Sequence, residues 1–320
     1  MDGRPKEQAD SNRSASPTRH SPIENRKCQI AWEGWVLPAL PEWRPASVRG
    51  DRRRGRMLIG DAAQGVMLVQ WWRPGEAGFD FNRWLRRRLK QVAGGARPDP
   101  NPPVPEGFRA AACLMDRTFD QGVMKSLWYG YAPGDDLVLE LTINDAAETA
   151  ARAVKREVLP SIGVLPQSGY TRWAVFGASF EAPPGHALVR KRLHAGDLAL
   201  EFSGGKRRTL LVRQIYPAQA ALARRTLERW VADPPFLERR RVAETTVDTA
   251  AALGGVGAGV GLCRRGWKRH AFPLGRFRPL RTCAMASVDS AQDRILIAEL
   301  TGGDTGAQGV VVRAVERMNG

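Results

Sequence analysis

The feature that most constrains this chain is that it reads twice. "ELTINDAAETAARAVKREVL" runs from Glu140 to Leu159 and "ELTGGDTGAQGVVVRAVERM" from Glu299 to Met318. Each is a strand-like run ending in Glu-Leu-Thr, followed by an Asp and a helix-like tail. Earlier landmarks pair in the same order. "GWVLPALPEWRP", where Trp35 opens a short apolar run, pairs with "RWAVFGASFEAPPG", where Trp173 does the same. "RGRMLIGDAAQGVMLVQWW" (Arg54 to Trp72) pairs with "AGDLALEFSGGKRRTLLVRQI" (Ala195 to Ile215), and each reads as strand, Gly-containing turn, strand. A helix follows each hairpin. "FDFNRWLRRRLKQV" spaces Phe81, Trp84, Leu85 and Leu89 helically behind Asp80 as N-cap, and "AQAALARRTLERWV" does so with Leu222, Leu227 and Trp230. The separations are 138 residues for Trp35 to Trp173, 143 for Leu68 to Leu211, 146 for Trp84 to Trp230 and 159 for Glu140 to Glu299. They only increase, as a colinear duplication with insertions in the second copy requires.

The expected fold is therefore α+β. Two tandem modules span residues 30–165 and 170–318, each an antiparallel sheet flanked by helices, with a Gly-rich insert near 250–262 in the second. The boundary lies in the Gly/Pro/Ser-rich stretch from Ser161 to Arg172. Strands "FRAAACLMD", "VMKSLWYGYA" and "DLVLELTI" follow one another at hairpin spacing in the first copy, which favours antiparallel pairing. Trp71 and Trp72 are adjacent on a strand and so should face opposite sides. Trp35, Trp173, Trp84 and Trp230 are expected to be packing residues. Residues 1–29 are polar, with no apolar core, and read as a disordered tail rather than a secretory signal. Removing residues 1–27 is expected to leave the melting temperature nearly unchanged, which a thermal melt of the truncated chain checks.

The order of elements resembles the PsbP/DcrB-like fold superfamily. "LPALPEW" (Leu37 to Trp43) and the meander "LWYGYAPGDDLVLELT" (Leu127 to Thr142) carry the likeness, closely over 30–165 and more loosely over 170–318. The second copy lacks the Pro-x-x-Trp turn. The resemblance implies a non-catalytic scaffold that binds other proteins, since that superfamily shares no common active site.

The residues suggest no chemistry that overrides this. "GGVGAGVG" (Gly254 to Gly261) has no G-x-G-x-x-G register, and "SGGKRRT" (Ser203 to Thr209) lacks the first glycine of a P-loop. The four histidines, His20, His186, His194 and His270, make no triad. Cys263, His270 and Cys283 are spaced unlike a zinc site. No catalytic group, cofactor or metal is expected. Cys28, Cys113, Cys263 and Cys283 are too sparse for a disulfide framework, so reduced thiols and a cytoplasmic location are the expectation. No run reaches the length of a membrane span.

What remains is charge. The 320 residues carry a formal +16, with a pI of about 10.6. The candidate contacts for an acidic partner or phosphate backbone are Arg52, Arg53 and Arg54 with Arg56; Arg86, Arg87 and Arg88; and Lys206, Arg207 and Arg208. Arg239 to Arg241 form a fourth run. Lys206 to Arg208 occupy a hairpin turn whose counterpart, "AAQG", is uncharged, so the fold does not require them. The leading expectation is an interaction scaffold with a protein partner; a polyanion (nucleic-acid) binding protein using the arginine clusters is the alternative, and an enzyme ranks third.

Overall fold

The computed structural model describes residues 28–75, 78–92, 97–99, 101–118, 124–165, 169–194, 196–205, 208–232, 247–249, 259–268 and 278–302. Residues 1–27, most of the glycine-rich stretch near 250–262, and the expected closing helix of the second half lie outside the described residues. Of the expected tail, Cys28 and Gln29 are described: Cys28 is partly buried and Gln29 begins a strand.

The first half contributes β1 (Gln29–Trp32), β2 (Trp35–Pro38), β3 (Arg44–Gly50), β4 (Arg54–Gly60), β5 (Gly65–Trp72), α1 (Phe81–Val92), β6 (Arg97–Pro98), β7 (Ala110–Thr118), β8 (Met124–Ala132), β9 (Leu137–Asn144), α2 (Glu148–Ala153) and β10 (Gly163–Val164). The second contributes β11 (Thr171–Val175), β12 (Ala178–Ala182), β13 (Ala187–His194), β14 (Asp197–Ser203), β15 (Thr209–Ile215), α3 (Ala218–Arg224), α4 (Leu227–Ala232), β16 (Val247–Thr249), β17 (Gly259–Lys268), β18 (Arg278–Asp289) and β19 (Arg294–Thr301). Strand far outweighs helix. All sheets are antiparallel, as the hairpin-length connections require.

The described residues form three sheets, where one per half was expected. Two have seven strands, in the orders β3-β4-β5-β9-β8-β7-β6 and β13-β14-β15-β19-β18-β17-β16. The third joins the opening hairpins of both halves, in the order β10-β2-β1-β11-β12. A lone two-stranded hairpin is marginal in water, so each opening hairpin gains by adding to the other's edge.

The two large sheets share their register as well as their order. Adding 143 to a residue number in β3–β5 gives its counterpart, except at the β4–β5 turn, where a bulge at Ile59/Gly60 has no equivalent in β14–β15: the pair Gly50–Gly55 becomes Leu193–Leu198, and Arg54–Trp72 becomes Asp197–Ile215. The edge-strand irregularity does repeat, between Pro45 and Ser47 in β3 and between Leu188 and Arg190 in β13. In the central sheet Ala31 pairs with Ala174, again 143 apart, so each residue faces its own counterpart. That is the signature of an approximate two-fold axis between them.

This register corrects two pairings read from the sequence. Trp35 follows its hairpin turn whereas Trp173 precedes one; the counterpart of Trp35 is Ala178, and that of Trp173 is Ile30. Likewise Trp72–Val138 corresponds to Ile215–Ile295, which places Glu140 opposite Ile297 in the comparison and Glu299 opposite Thr142. The two Glu-Leu-Thr stretches are thus two residues out of register. A shift of two keeps the face of a strand, so both glutamates still point the same way.

One apolar face of the central sheet, with Ile30, Trp32, Trp35, Leu37, Trp173 and Phe180, meets the inner faces of both seven-stranded sheets in one continuous core. Trp71 joins it, while Trp72 on the opposite face packs under α1, 4.7 Å from the Trp84 ring. Asp80 caps α1, accepting a bond from the Arg83 amide (2.9 Å). Trp84 and Trp230 are partly buried in the two outer helix–sheet layers, so they pack as expected but outside the main core.

The cysteines depart from expectation. Cys283 is buried and disulfide-bonded, and the residue opposite it in the β17–β18 ladder is Cys263. Disulfides persist in oxidising compartments. This weighs against the reduced, cytoplasmic setting expected from their number. Among the described residues no helix is long and apolar enough to cross a membrane.

Candidate functional site at the junction of the halves

The two-residue turn joining β1 to β2 needs left-handed backbone at both positions, and Glu33 (φ 46°) and Gly34 (φ 92°) supply it. Phe176 and Gly177 do the same in the second half (φ 52° and 77°). The turn therefore forces a long side chain back onto the protein in both halves, and in the first half that side chain is acidic. Glu33 is only 6% exposed.

Three cations surround it. Arg73, just beyond β5, donates from Nη2 to the Glu33 carbonyl (2.8 Å) and from Nη1 to the Arg52 carbonyl (2.7 Å), so it clips the β1–β2 turn to the β3–β4 turn. Its own amide donates to the Arg53 carbonyl (2.8 Å). Lys191, reaching across from β13 in the other half, donates from Nζ to the Gly50 carbonyl (2.8 Å) and lies 5.8 Å from the Trp32 ring centre. Arg52 completes the set through its charge. Asp51 stands at the edge, its carboxylate accepting from the Arg53 and Arg54 amides (2.8 and 3.1 Å); those bonds hold its pKa below the usual range.

The Glu33 carboxylate has no hydrogen-bond donor among the described residues. Burial therefore dominates, and it raises the Glu33 pKa to about 7 against the pull of Arg73, Arg52 and Lys191. Burial also lowers the pKa of Arg73 and of Lys191, with Glu33 opposing it in both. The cluster can exchange a proton near neutral pH and so change the charge where the halves meet.

The fold does not demand this charge. The counterparts of Glu33 and Lys191 are Phe176 and Val48, and both pack as hydrophobic side chains against the main core. At the positions of Glu33 and Lys191, then, one end of the two-fold arrangement is ionisable and the other carries Phe176 and Val48, with Gln214 bonded to the Phe176 carbonyl (3.4 Å).

The expected basic contacts scatter around this centre. Arg52, Arg53 and Arg54 are exposed in and after the β3–β4 turn, and Arg52 belongs to the junction cluster. Arg86 and Arg87 are exposed on α1, but Arg88 turns inward to Glu140 (2.8 Å), which is buried on the helix-facing side of β9. The bond to Glu140 raises the Arg88 pKa. Arg88 thus pairs with a buried carboxylate while its side chain stays 35% exposed. Arg208 is exposed, while Lys206 and Arg207 lie outside the described residues. At that tip a Cβ on Gly204 would meet the His186 ring at 2.5 Å, and burial, with the Arg208 charge, lowers the His186 pKa.

Glu33, Arg73 and Lys191 escaped the sequence reading. Glu33 stands in "WEGW", where a glutamate replaces the Asn or Asp usual before a turn glycine, and that substitution was a readable signal. Lys191 gave none, being one cation among several in β13. Among the described residues no group of His, Cys, Asp and Glu is placed to hold a metal. Comparison of the chain with protein-family models, curated proteins and solved structures finds no match.

Proposed function

We propose that the chain is a non-enzymatic interaction scaffold, an internal duplication whose two modules share a buried frame and present different surfaces to a protein partner. The observation that carries this reading is the contrast between frame and surface at equivalent positions. Strand order, register and the repeated bulge are common to both halves. The turn 61–64 nevertheless answers to a turn that includes Lys206 and Arg207, and the part-exposed Lys191 answers to Val48. A shared frame needs shared packing, whereas divergent charge serves no packing purpose. A seven-stranded antiparallel sheet in each half, beside the sheet the halves share, is in keeping with the PsbP/DcrB-like likeness, and with it a protein-binding role.

The β3 and β13 edges of the large sheets do not invite strand addition. β3 carries Pro45, and β13 carries Arg190, Lys191 and Arg192, each with a bulge, and these are the devices that discourage strand addition. The partner is therefore expected to meet side chains, with the basic β14–β15 tip as the first contact.

Affinity capture from the native host, with and without nuclease, tests the reading. A protein partner retained after nuclease treatment is the expected result. Loss of all captured material on nuclease treatment would overturn it in favour of a polyanion binder. Replacing Lys206, Arg207 and Arg208 together with Ser should weaken capture while moving the melting temperature by only a degree or two, since the first half's equivalent turn does without these charges.

A further inference from the structure

The outer layers of the two halves are built alike but filled differently. In the first, Trp84 packs among aromatic rings: Trp72 at 4.7 Å, Phe81 at 5.6 Å and Tyr129 at 5.9 Å. In the second, Trp230 packs among guanidiniums. Arg213 lies 5.2 Å from its ring centre and Arg225 lies 4.8 Å from it. The counterpart of Arg213 is Gln70, so the helix–sheet layer does not itself require a cation there.

Arg213 is buried, with its side chain 6% exposed. It spends Nε and Nη2 on the two carboxylate oxygens of Asp197 (2.7 and 2.9 Å), a bidentate pair that fixes the plane of the guanidinium. Asp197 also meets Arg192 Nη2 at 2.6 Å, so one carboxylate faces two arginines. The third nitrogen of Arg213, Nη1, is buried with no acceptor among the described residues, and the Trp230 indole N–H is likewise buried without one. Two donors without acceptors among the described residues therefore belong to one pair of neighbouring side chains. Buried donors of this kind call for an acceptor, and none of the described residues supplies one. Arg225 donates from Nη2 to the Arg229 carbonyl (2.6 Å), which holds it over the same ring.

We propose that Arg213, Arg225 and Trp230 form a binding site for a phosphate group. Arg213 Nη1 and the Trp230 indole N–H are its hydrogen-bond donors, and Arg225 supplies further charge. A phosphate offers several acceptor oxygens to such donors and offsets more than one positive charge; a carboxylate offers fewer on both counts. The site is independent of the scaffold reading, because partner capture and phosphate binding can succeed or fail separately.

The test is calorimetric titration of the full chain with inorganic phosphate at constant ionic strength, repeated with O-phospho-L-serine and with acetate. Saturable binding of phosphate at one site is expected. Trp230→Phe, which keeps a ring and removes the N–H, should weaken it at least about fivefold, as should Arg225→Gln; Arg86→Gln on α1 should leave it unchanged. A thermal melt checks that each variant is folded. Tighter binding of phosphoserine assigns a phosphorylated side chain as the source, and equal binding assigns free phosphate. No saturable heat, acetate binding as tightly as phosphate, or undiminished affinity in both folded site variants overturns the proposal.

Discussion

Replacing Glu33 by Gln is expected to stabilise the protein at pH 8.5 by roughly 3 kcal/mol and to change little at pH 5. The size follows from the distance between the ordinary value of 4.5 and the folded value of about 7, at about 1.36 kcal/mol per pH unit. The sign follows from the direction of the shift. The folded state holds its proton more tightly than the unfolded chain does. That contribution is complete below about pH 4.5 and is lost as pH rises through about 7, when a carboxylate without hydrogen bonds must stay buried. Glutamine keeps the shape and stays neutral, so the variant escapes the loss. Denaturant unfolding of both proteins from pH 5 to 8.5 measures the difference. Parallel curves across that range would remove Glu33 as the titrating group. A second substitution locates the effect: Lys191→Met takes away one of the charges that favour ionised Glu33, so the midpoint of the pH dependence should rise.

The second large effect is expected at Trp173. This residue belongs to the second half but packs edge-on against Trp32 of the first, with ring centres 5.1 Å apart, and against Phe202 at 4.9 Å. Its side chain is 2% exposed, in a core that all three sheets share. Trp173→Ala should cost about 3–5 kcal/mol, because the removed ring leaves a cavity among rigid neighbours. It should lower the melting temperature by on the order of 10 °C. The form of the transition is as informative as its position. One core spanning the halves means one cooperative unfolding event that moves as a whole. Calorimetry resolving two transitions, with only one displaced by the substitution, would show instead that the halves unfold separately. Ala31, which pairs with Ala174 between the halves, offers a gentler probe of the same contact.

Much of this architecture was readable from residue order alone. Alternating runs such as "RMLIG" and "GVMLVQWW" announced strands, Asp80 announced the start of α1, and adjacent Trp71 and Trp72 had to face opposite ways. These are local matters, settled by period, capping and turn chemistry within a few residues. The recurrence of the pattern was visible too, although matching words misplaced Glu299 by two residues and set Trp35 against Trp173. Hydrogen-bond register is decided between strands far apart in the chain, and identical letters do not report it. The same limit hid the central sheet, since nothing within "QIAW" or "TRWAV" says that each strand takes the other as its neighbour. It hid the ionisable junction as well. Glu33, Arg73 and Lys191 are separated by 40 residues or more along the chain, and only folding places them together. A pKa near 7 arises from burial without a hydrogen bond, which no single residue's identity specifies. Arg88 makes the converse point. It stands in a run of three arginines that reads as surface charge, yet the turn of α1 points this one inward to Glu140, 52 residues away. Composition supplied the charges of this protein; the tertiary structure chose which of them meet water and which meet one another.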